Sequence, residues 1–398
     1  MAKLEGGSGS KSEKAVTIPL TDMVSDVAEG CPVMAGPEEM PADTLYYWDY
    51  LHLDYLLNAQ TPKSAERGGL IHDEYFFIVV HQTYELWFKQ ILVELNSVMA
   101  IMAQDRIDGR ELGTVLSRLH RINAIQRLMV AQMDVLETLT PLDFLDFRSL
   151  LLPASGFQSV QFRLIENKFG LLERDRLQIE GHNYVDTLRD DHAALVVDSE
   201  SVASLFDNIE RWLARLPYVR TDDYDFIARY EEAANAMHAA ARAKIEGLPG
   251  LDEEALQRQL VSFENSTKRF GAVFDRASWE QDVRGGSRRF SYEAFMAALF
   301  IYLYREEPVL QVPFRILEML IDIDETLTLW RQRHALMAHR MLGRLVGTAG
   351  SGYAYLDETA KRYTPFKDLF DVSTYLIPRA SLPPLPDSLF GHFDGQVW

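Results

Sequence analysis

Residues 72–95, HDEYFFIVVHQTYELWFKQILVEL, decide the fold class, because their apolar side chains recur at the spacing of an α-helix. One stripe of such a helix would carry Phe77, His81, Tyr84 and Phe88, which are separated by three or four positions. The opposite face is charged, with Lys89 as one example. We therefore predict one amphipathic helix over 73–104, opened by Asp73 as its N-cap.

His81 is the unusual member of that aromatic stripe. A histidine on an apolar helix face is often a core residue whose ring nitrogens are satisfied by neighbouring groups. The alternative is a reaction site, in which the imidazole donates or accepts a hydrogen bond to a ligand. Spacing alone leaves both interpretations open.

The rest of the chain repeats the helical period almost everywhere after residue 45, for example over 45–60, 108–139, 252–279 and 312–344, and a helix is predicted for each of these segments. Few segments alternate with period two, and there is no glycine-rich strand-to-helix turn, which excludes dinucleotide-binding and P-loop folds. The pattern predicts an all-α protein with a large helical bundle core. A smaller helical insertion is expected at about 200–290.

Three regions follow from the composition along the chain. Residues 1–44 are predicted to be a tail or linker, since they contain a Gly/Ser run and lack the apolar segment of a secretion signal. Residues 45–379 are predicted to form a single helical domain. Residues 380–398 are rich in proline and are predicted to form a C-terminal tail.

The bulk composition narrows the classes of partner. The 398 residues are 47% hydrophobic and carry a formal net charge of −19, which argues against a nucleic-acid or anionic-membrane partner. No apolar run approaches the roughly 20 residues that a membrane span requires. The chain has one cysteine, so it cannot form an internal disulfide, and we expect a cytoplasmic protein.

A second informative histidine lies in LWRQRHALMAHRMLG, residues 329–343. Trp330 and His334 are one helical turn apart, whereas His339 is rotated well away from them. A histidine on such an apolar face can ligate haem iron, or it can be a buried residue that donates to a backbone carbonyl. The helical signatures of di-iron and zinc sites, Glu-x-x-His and His-Glu-x-x-His, are missing from the sequence.

Two further stretches suggest how a polar ligand would be held. In LTPLDFLDFR, residues 139–148, Phe144 and Arg148 are four positions apart, and a buried arginine needs an anion. That anion is either a ligand or a structural carboxylate such as Asp146 or Glu166. In VGTAGSGYAYL, residues 346–356, backbone N–H groups and the Thr348 hydroxyl could bind a polar ligand end, although such loops also simply end helices.

The sequence motifs resemble those of a known family, tryptophan 2,3-dioxygenase, in collinear order from about residue 45 to 379. The resemblance is carried by the 72–95 stretch and by six further motifs: YYWDYLHLDYLLNAQ (46–60), PASGFQSVQFRLIENK (153–168), YREEPVLQVPF (304–314), WRQRH (330–334), HRMLG (339–343) and DLFDVSTYLIPR (368–379). It implies one haem b per subunit in the helical core, ferrous in the active state, with His334 as the proximal iron ligand. Trp330 matches an aromatic residue beside that ligand.

The resemblance also implies the substrate-binding residues. His81 matches a distal catalytic histidine near the indole N–H, and Arg148 matches the residue that binds the substrate carboxylate. The other matching substrate contacts are Phe77, Tyr84, Phe144 and Thr348. Tyr47, Tyr50 and Leu51 match a segment that reaches the pocket of a neighbouring subunit in a homotetramer.

The implied activity is cleavage of the indole C2–C3 bond of L-tryptophan by O₂ to give N-formyl-L-kynurenine, the first step of the kynurenine pathway. The family usually has Gly-Thr-Gly-Gly-Ser-Ser-Gly where this chain reads Gly347-Thr348-Ala349-Gly350-Ser351-Gly352, so one residue is missing and one glycine is replaced. Because the change falls where the amino-acid end of the substrate is held, an alternative stays open. It is a related haem monooxygenase that converts a modified tryptophan to an oxindole. A haem sensor or carrier without catalysis is the competing class.

Overall fold

The structure, a computed structural model, describes residues 45–177, 183–343, 353–386 and 389. Regular structure in this part of the chain is helical, apart from isolated bridge positions such as the pair Arg220 and Asp225. The prediction of an all-α fold is therefore confirmed. The chain divides into two compact units, one ending at Ile71 and the other beginning at His72.

The described part of the first unit consists of three one-turn helices. They are α1 (Tyr47–Tyr50), α2 (Leu53–Leu56) and α3 (Lys63–Glu66). The sequence pattern predicts one continuous helix over 45–60, and this is wrong at its centre. His52 adopts a left-handed conformation with φ of 51°, which interrupts a right-handed helix.

Three long helices form the framework of the second unit: α4 (His72–Met102), α5 (Gly109–Leu136) and α14 (Gln311–Leu342). α5 packs against both α4 and α14. The remaining helices are α6 (Pro141–Leu151), α7 (Val160–Phe169), α8 (Asp190–Glu200), α9 (Leu205–Ala214), α10 (Phe226–Glu246), α11 (Glu253–Gly271), α12 (Arg276–Gly285), α13 (Tyr292–Leu303), α15 (Tyr353–Arg362) and α16 (Lys367–Asp371). Short 3₁₀ turns occur at Gly156–Gln158, Glu173–Asp175, Ala272–Phe274, Pro308–Leu310, Val372–Tyr375 and Arg379–Ser381.

Local capping explains where several helices begin and end. α4 begins at His72, so Asp73 lies in the first turn of the helix, and the prediction that it is the N-cap is wrong. In the first turn its negative charge still interacts favourably with the positive end of the helix dipole. The single helix predicted over 252–279 is wrong. α11 ends at Gly271, and α12 begins after Asp275, whose side chain accepts a hydrogen bond from the Ser278 N–H at 3.0 Å.

The hydrophobic core lies around α13, of which nearly every residue from Tyr292 to Ile301 is buried. In the region predicted as an insertion, α9 packs against α4 and α13, and its Trp212 is fully buried in this core. α10 and α11 pack against each other. The domain boundaries at residues 44 and 380 stay predictions. Among the described helices, none has the length and apolar character of a membrane span.

Candidate functional site

A pocket of about 310 Å³ lies within the second unit, between α4, α5, α6, α7, α14 and α15. Its walls are mostly aromatic and apolar side chains, including Phe88, Phe162, Met133, Leu136, Met337 and Leu342. Polar groups enter it at several points, among them His81, Arg148 and His334, and charged side chains at Arg163, Glu166 and Arg331. An apolar pocket with a few convergent polar groups is the usual form of a small-molecule site.

His81 projects from the middle of α4, where its neighbours fix both its orientation and its tautomer. Its Nδ1 atom lies 2.7 Å from the carbonyl oxygen of Phe77. A carbonyl oxygen only accepts, so Nδ1 carries the hydrogen and Nε2 of the neutral ring is left as an acceptor. The Phe77 ring packs on the imidazole with centroids 4.0 Å apart.

The protonation state of His81 follows from its surroundings. The side chain retains accessible surface because it faces the pocket, but the protein around it removes water. Burial lowers the pKa of His81 below its ordinary value, and this outweighs the opposing effects of the Phe77 carbonyl and the Glu85 charge. The imidazole is therefore predominantly neutral at pH 7.

His334 enters the pocket from α14 with its ring held against Trp330. The two rings are stacked, with an angle of 4° between their planes and centroids 5.4 Å apart. Trp330 itself packs against Phe162 at 5.2 Å and against Phe88 at 6.4 Å. Loss of water around the ring is the main cause that lowers the pKa of His334 to about 4, and the protonated form of His81 would lower it in the same direction. A neutral imidazole presents the nitrogen lone pair that a metal ion requires.

Phe144 and Arg148 are brought to the pocket by α6, whose start is set by Thr140. The Thr140 hydroxyl accepts a hydrogen bond from the Asp143 N–H, and Pro141 occupies the first helical position. The Phe144 ring lies 5.8 Å from that of Phe77, and Arg148 lines the pocket one turn later.

The sequence offers two carboxylates of the protein itself, Asp146 and Glu166, as possible ion-pair partners of Arg148. Asp146 is exposed on α6. Glu166 binds three other arginines, Arg163, Arg176 and Arg331, at 2.8–2.9 Å.

The structure brings most of the sequence-predicted residues together in the second unit. His81, Tyr84, Phe144, Arg148, Trp330 and His334 all line the pocket, and Phe77 contacts two of them. The Tyr84 hydroxyl donates to the Met129 carbonyl at 2.9 Å, so Tyr84 contributes its ring to the wall. Tyr47, Tyr50 and Leu51 lie in the first unit and are exposed. Thr348 lies outside the described residues.

Two polar clusters in the wall are not predicted from the sequence. Glu85, one turn after His81, accepts hydrogen bonds from Ser159 at 2.6 Å and from Gln161 at 2.8 Å. The second cluster is the set of arginines around Glu166. The spacing of Arg163 and Glu166 in RLIENK could have suggested one of these pairs. Arg176 and Arg331 are brought in by tertiary structure and leave no local signal.

The residues of the pocket fit a haem group. His334 is a half-buried neutral imidazole on one wall, His81 is a second neutral histidine that lines the same pocket, and most of the other lining side chains are aromatic or apolar. These are the donor type and the surroundings that histidine-ligated haem uses. Among the described residues no cluster of three or more His, Cys, Asp or Glu side chains could hold a different metal ion.

Together, the helical fold and this pocket define an all-α protein with a histidine-bearing aromatic site suited to a flat ligand. A sequence profile of the family described as Tryptophan 2,3-dioxygenase matches residues 34–376. The chain belongs to the tryptophan 2,3-dioxygenase family, which confirms the resemblance of its motifs.

Individual relatives agree with the family assignment. A tryptophan 2,3-dioxygenase from Bdellovibrio bacteriovorus is 46% identical over 346 residues, covering 87% of this chain and 96% of the relative. One from Dictyostelium discoideum is 42% identical over 344 residues, with 86% of each chain covered. One from Rattus norvegicus is 44% identical over 342 residues, with 85% of this chain and 84% of the relative covered.

Proposed function

We propose that this protein is a haem-dependent dioxygenase that cleaves the indole C2–C3 bond of L-tryptophan with O₂ to give N-formyl-L-kynurenine. The observation that carries the proposal is the pocket in which His81 and His334 meet between aromatic walls, in a chain of the tryptophan 2,3-dioxygenase family. Tryptophan is a flat apolar body with a charged amino-acid end. An aromatic pocket with Arg148 at its wall matches both parts.

His334 is the residue that would hold the haem iron, through the neutral nitrogen that its lowered pKa provides. Trp330, stacked on the ring, restricts its orientation. When bound, the haem supplies the activation of O₂ and the oxidising power of the reaction. The protein binds and orients the substrate and excludes water.

His81 orients the indole. Its Nδ1–H is already donated to Phe77, so the acceptor Nε2 is the atom available to the indole N–H. Indole N–H is a very weak acid, and a neutral histidine whose pKa is lowered is a weak base. We therefore assign His81 to hydrogen bonding rather than to obligatory proton removal.

The remaining contacts follow from the shape of the pocket. Phe77 and Phe144 present rings that would pack on the indole, and Arg148 would bind the substrate carboxylate through parallel hydrogen bonds. Tyr84 contributes to the wall. Thr348 is assigned to the amino-acid end of the substrate on the family motif alone.

The first unit supports a proposal about assembly. Tyr47 and Tyr50 are 70% and 64% exposed, and Leu51 is 40% exposed. Clusters of exposed apolar side chains mark interaction sites. We assign this segment to the pocket of a neighbouring subunit in a homotetramer.

We also propose a cytoplasmic location, which is in keeping with the single cysteine of the sequence.

The oxindole-forming alternative predicts a different product, and the names of the relatives do not favour it. The test is product analysis after anaerobic reduction and addition of L-tryptophan with isotopically labelled O₂. We expect N-formylkynurenine that carries two labelled oxygen atoms. A product with one labelled oxygen atom and an intact indole-derived ring would support the monooxygenase. Haem binding without any tryptophan-dependent consumption of O₂ would support a sensor or carrier.

A further inference from the structure

One end of the pocket is built on a buried cluster of charged side chains around Glu166. Arg163 donates to Glu166 Oε2 at 2.9 Å, Arg176 donates to the same oxygen at 2.8 Å, and Arg331 donates to Oε1 at 2.9 Å. The side chains of all four residues are at most 7% exposed. We call these four residues the arginine cluster.

The arginine cluster is not electrically balanced by its own members. Three guanidinium groups share one carboxylate, which leaves two positive charges in excess in a buried place. Burial would raise the pKa of Glu166, but attraction by the three arginines outweighs this and lowers the pKa to about 2, so the carboxylate is fully ionised. Buried charge is costly without a counter-charge.

Apart from Glu166, no described carboxylate forms an ion pair with a guanidinium group of the arginine cluster. The buried Asp324, whose charge acts on Arg331, accepts a hydrogen bond from the Phe366 N–H, and its pKa is raised to about 7, so it balances at most part of the excess charge. Aromatic rings cover the guanidinium groups, with Tyr184 4.0 Å from Arg176 and Tyr363 5.1 Å from Arg331. These rings contribute only quadrupole attraction. The carboxylate of Glu85 on the same pocket is already bound by Ser159 and Gln161, and Glu200, which accepts from the Tyr184 hydroxyl, is exposed.

The excess charge faces the pocket. Arg163, Glu166 and Arg331 line the pocket, whereas Arg176 supports them from behind and does not line it. The Nε–H groups of Arg163 and Arg176 both have no hydrogen-bond partner among the described residues, and of these two arginines only Arg163 lines the pocket. Arg331 is three residues before His334 on α14, so the two side chains share one side of that helix.

We propose that Arg163 and Arg331 bind the carboxylate side chains of the haem, so that the arginine cluster is the anion-binding end of the cofactor pocket. The proposal rests on the haem-dependent function proposed above. Two excess positive charges match the two carboxylates that haem b carries. Glu166 acts as the positioning residue that holds the two guanidinium groups in place, and Arg176 binds Glu166 without lining the pocket.

The test compares haem b with its dimethyl ester, which keeps the iron and the porphyrin ring but has no carboxylate charge. The protein is loaded with one or the other, and the rate of porphyrin loss to an excess of apomyoglobin is followed by Soret absorbance. We expect the wild type to lose the ester about ten to a hundred times faster than haem b, as for charge-assisted hydrogen bonds. No difference between the two porphyrins in the wild type would overturn the proposal.

Arg163→Gln addresses one of the two arginines, and Arg176→Gln is its matched control. Arg163→Gln should speed the loss of haem b about tenfold or more and leave the loss of the ester nearly unchanged. Arg163→Lys, which restores a charge, should recover part of the difference. Arg176→Gln removes a partner of Glu166 that does not line the pocket, so it should change the loss of both porphyrins by the same factor.

Failure of this proposal can be told apart from failure of the haem-dependent function. If Arg163→Gln speeds the loss of both porphyrins equally, as in the control, Arg163 is structural and the proposal is overturned while the haem-dependent function stands. If the wild type binds neither porphyrin, the proposed function itself fails and this proposal fails with it. The comparison in the wild type needs no substitution, so it decides the case even when a variant does not fold.

Discussion

The Nδ1 atom of His81 is hydrogen bonded to the carbonyl oxygen of Phe77, one helical turn earlier, at 2.7 Å. The contact occupies the one N–H donor of the neutral imidazole, and the acceptor atom Nε2 takes no part in it. It also connects the two residues that are assigned to the indole, because Phe77 packs its ring on the same imidazole. Orientation of the substrate and orientation of the histidine therefore depend on the same turn of α4.

We predict that His81→Ala retains haem and turns over L-tryptophan about ten to a hundred times more slowly, the effect of losing one orienting hydrogen bond. Haem content from the Soret band and steady-state kcat measure the two effects separately. A substrate methylated on the indole nitrogen has no N–H to donate, so the variant should lose little further activity on it. Haem loss equal to that of a His334 variant would contradict the assignment.

His334→Ala should be purified with little or no haem, because the ring is the assigned iron ligand and no other described histidine on α14 faces the pocket. Haem content relative to protein, measured after purification, is the direct test. The matched control is His339→Ala, which changes an exposed histidine on the same helix and should keep its haem. Full haem content in His334→Ala would show that the iron is held elsewhere.

The parts of this site that the sequence predicts are those that depend on helical periodicity. Phe77 and His81, or Trp330 and His334, are one turn apart on a single helix, so spacing alone places each pair on one face. The meeting of His81 with His334 requires α4 and α14 to pack in the same unit, which no local pattern encodes. That part was predicted only from the resemblance to a known family.

Other features depended on tertiary contacts or on local conformations that compete with the helical period. The arginine cluster joins residues from 163 to 331 around one carboxylate, and only a single pair within it has helical spacing. The pattern over 45–60 is helical, but the left-handed conformation of His52 breaks it. Likewise, Asp275 caps the start of α12, so the segment 252–279, for which the hydrophobic period predicts one helix, is divided into two.

Arg148→Ala should weaken the binding of L-tryptophan much more than the binding of indole, which lacks the carboxylate. The loss of a charge-assisted contact is expected to raise the Kd for tryptophan about tenfold or more. Both Kd values can be measured from the spectral change on ligand binding. If tryptophan and indole are weakened by the same factor, Arg148 serves the structure of α6 rather than the substrate.

Asp324 gives the fold a pH dependence that can be measured apart from the haem chemistry. It is buried on α14, ten residues before His334, and its carboxylate accepts a hydrogen bond from the Phe366 N–H at 2.7 Å. Burial raises its pKa to about 7, against the opposing effects of that N–H and of Arg331 and Arg289. Between pH 4 and 7 the folded state therefore binds more protons than the unfolded state, and this group makes stability fall as the pH rises.

We predict that Asp324→Asn removes this dependence, because asparagine keeps the acceptor for Phe366 without the charge. Its free energy of unfolding should match that of the wild type near pH 4 and exceed it above pH 7, by up to about 4 kcal/mol. Denaturant titrations at several pH values measure the difference. Asp322→Asn, which changes a more exposed carboxylate of the same helix paired with Arg127, should follow the wild-type profile. If Asp324→Asn also follows that profile at every pH, the carboxylate of Asp324 is not held protonated by the fold.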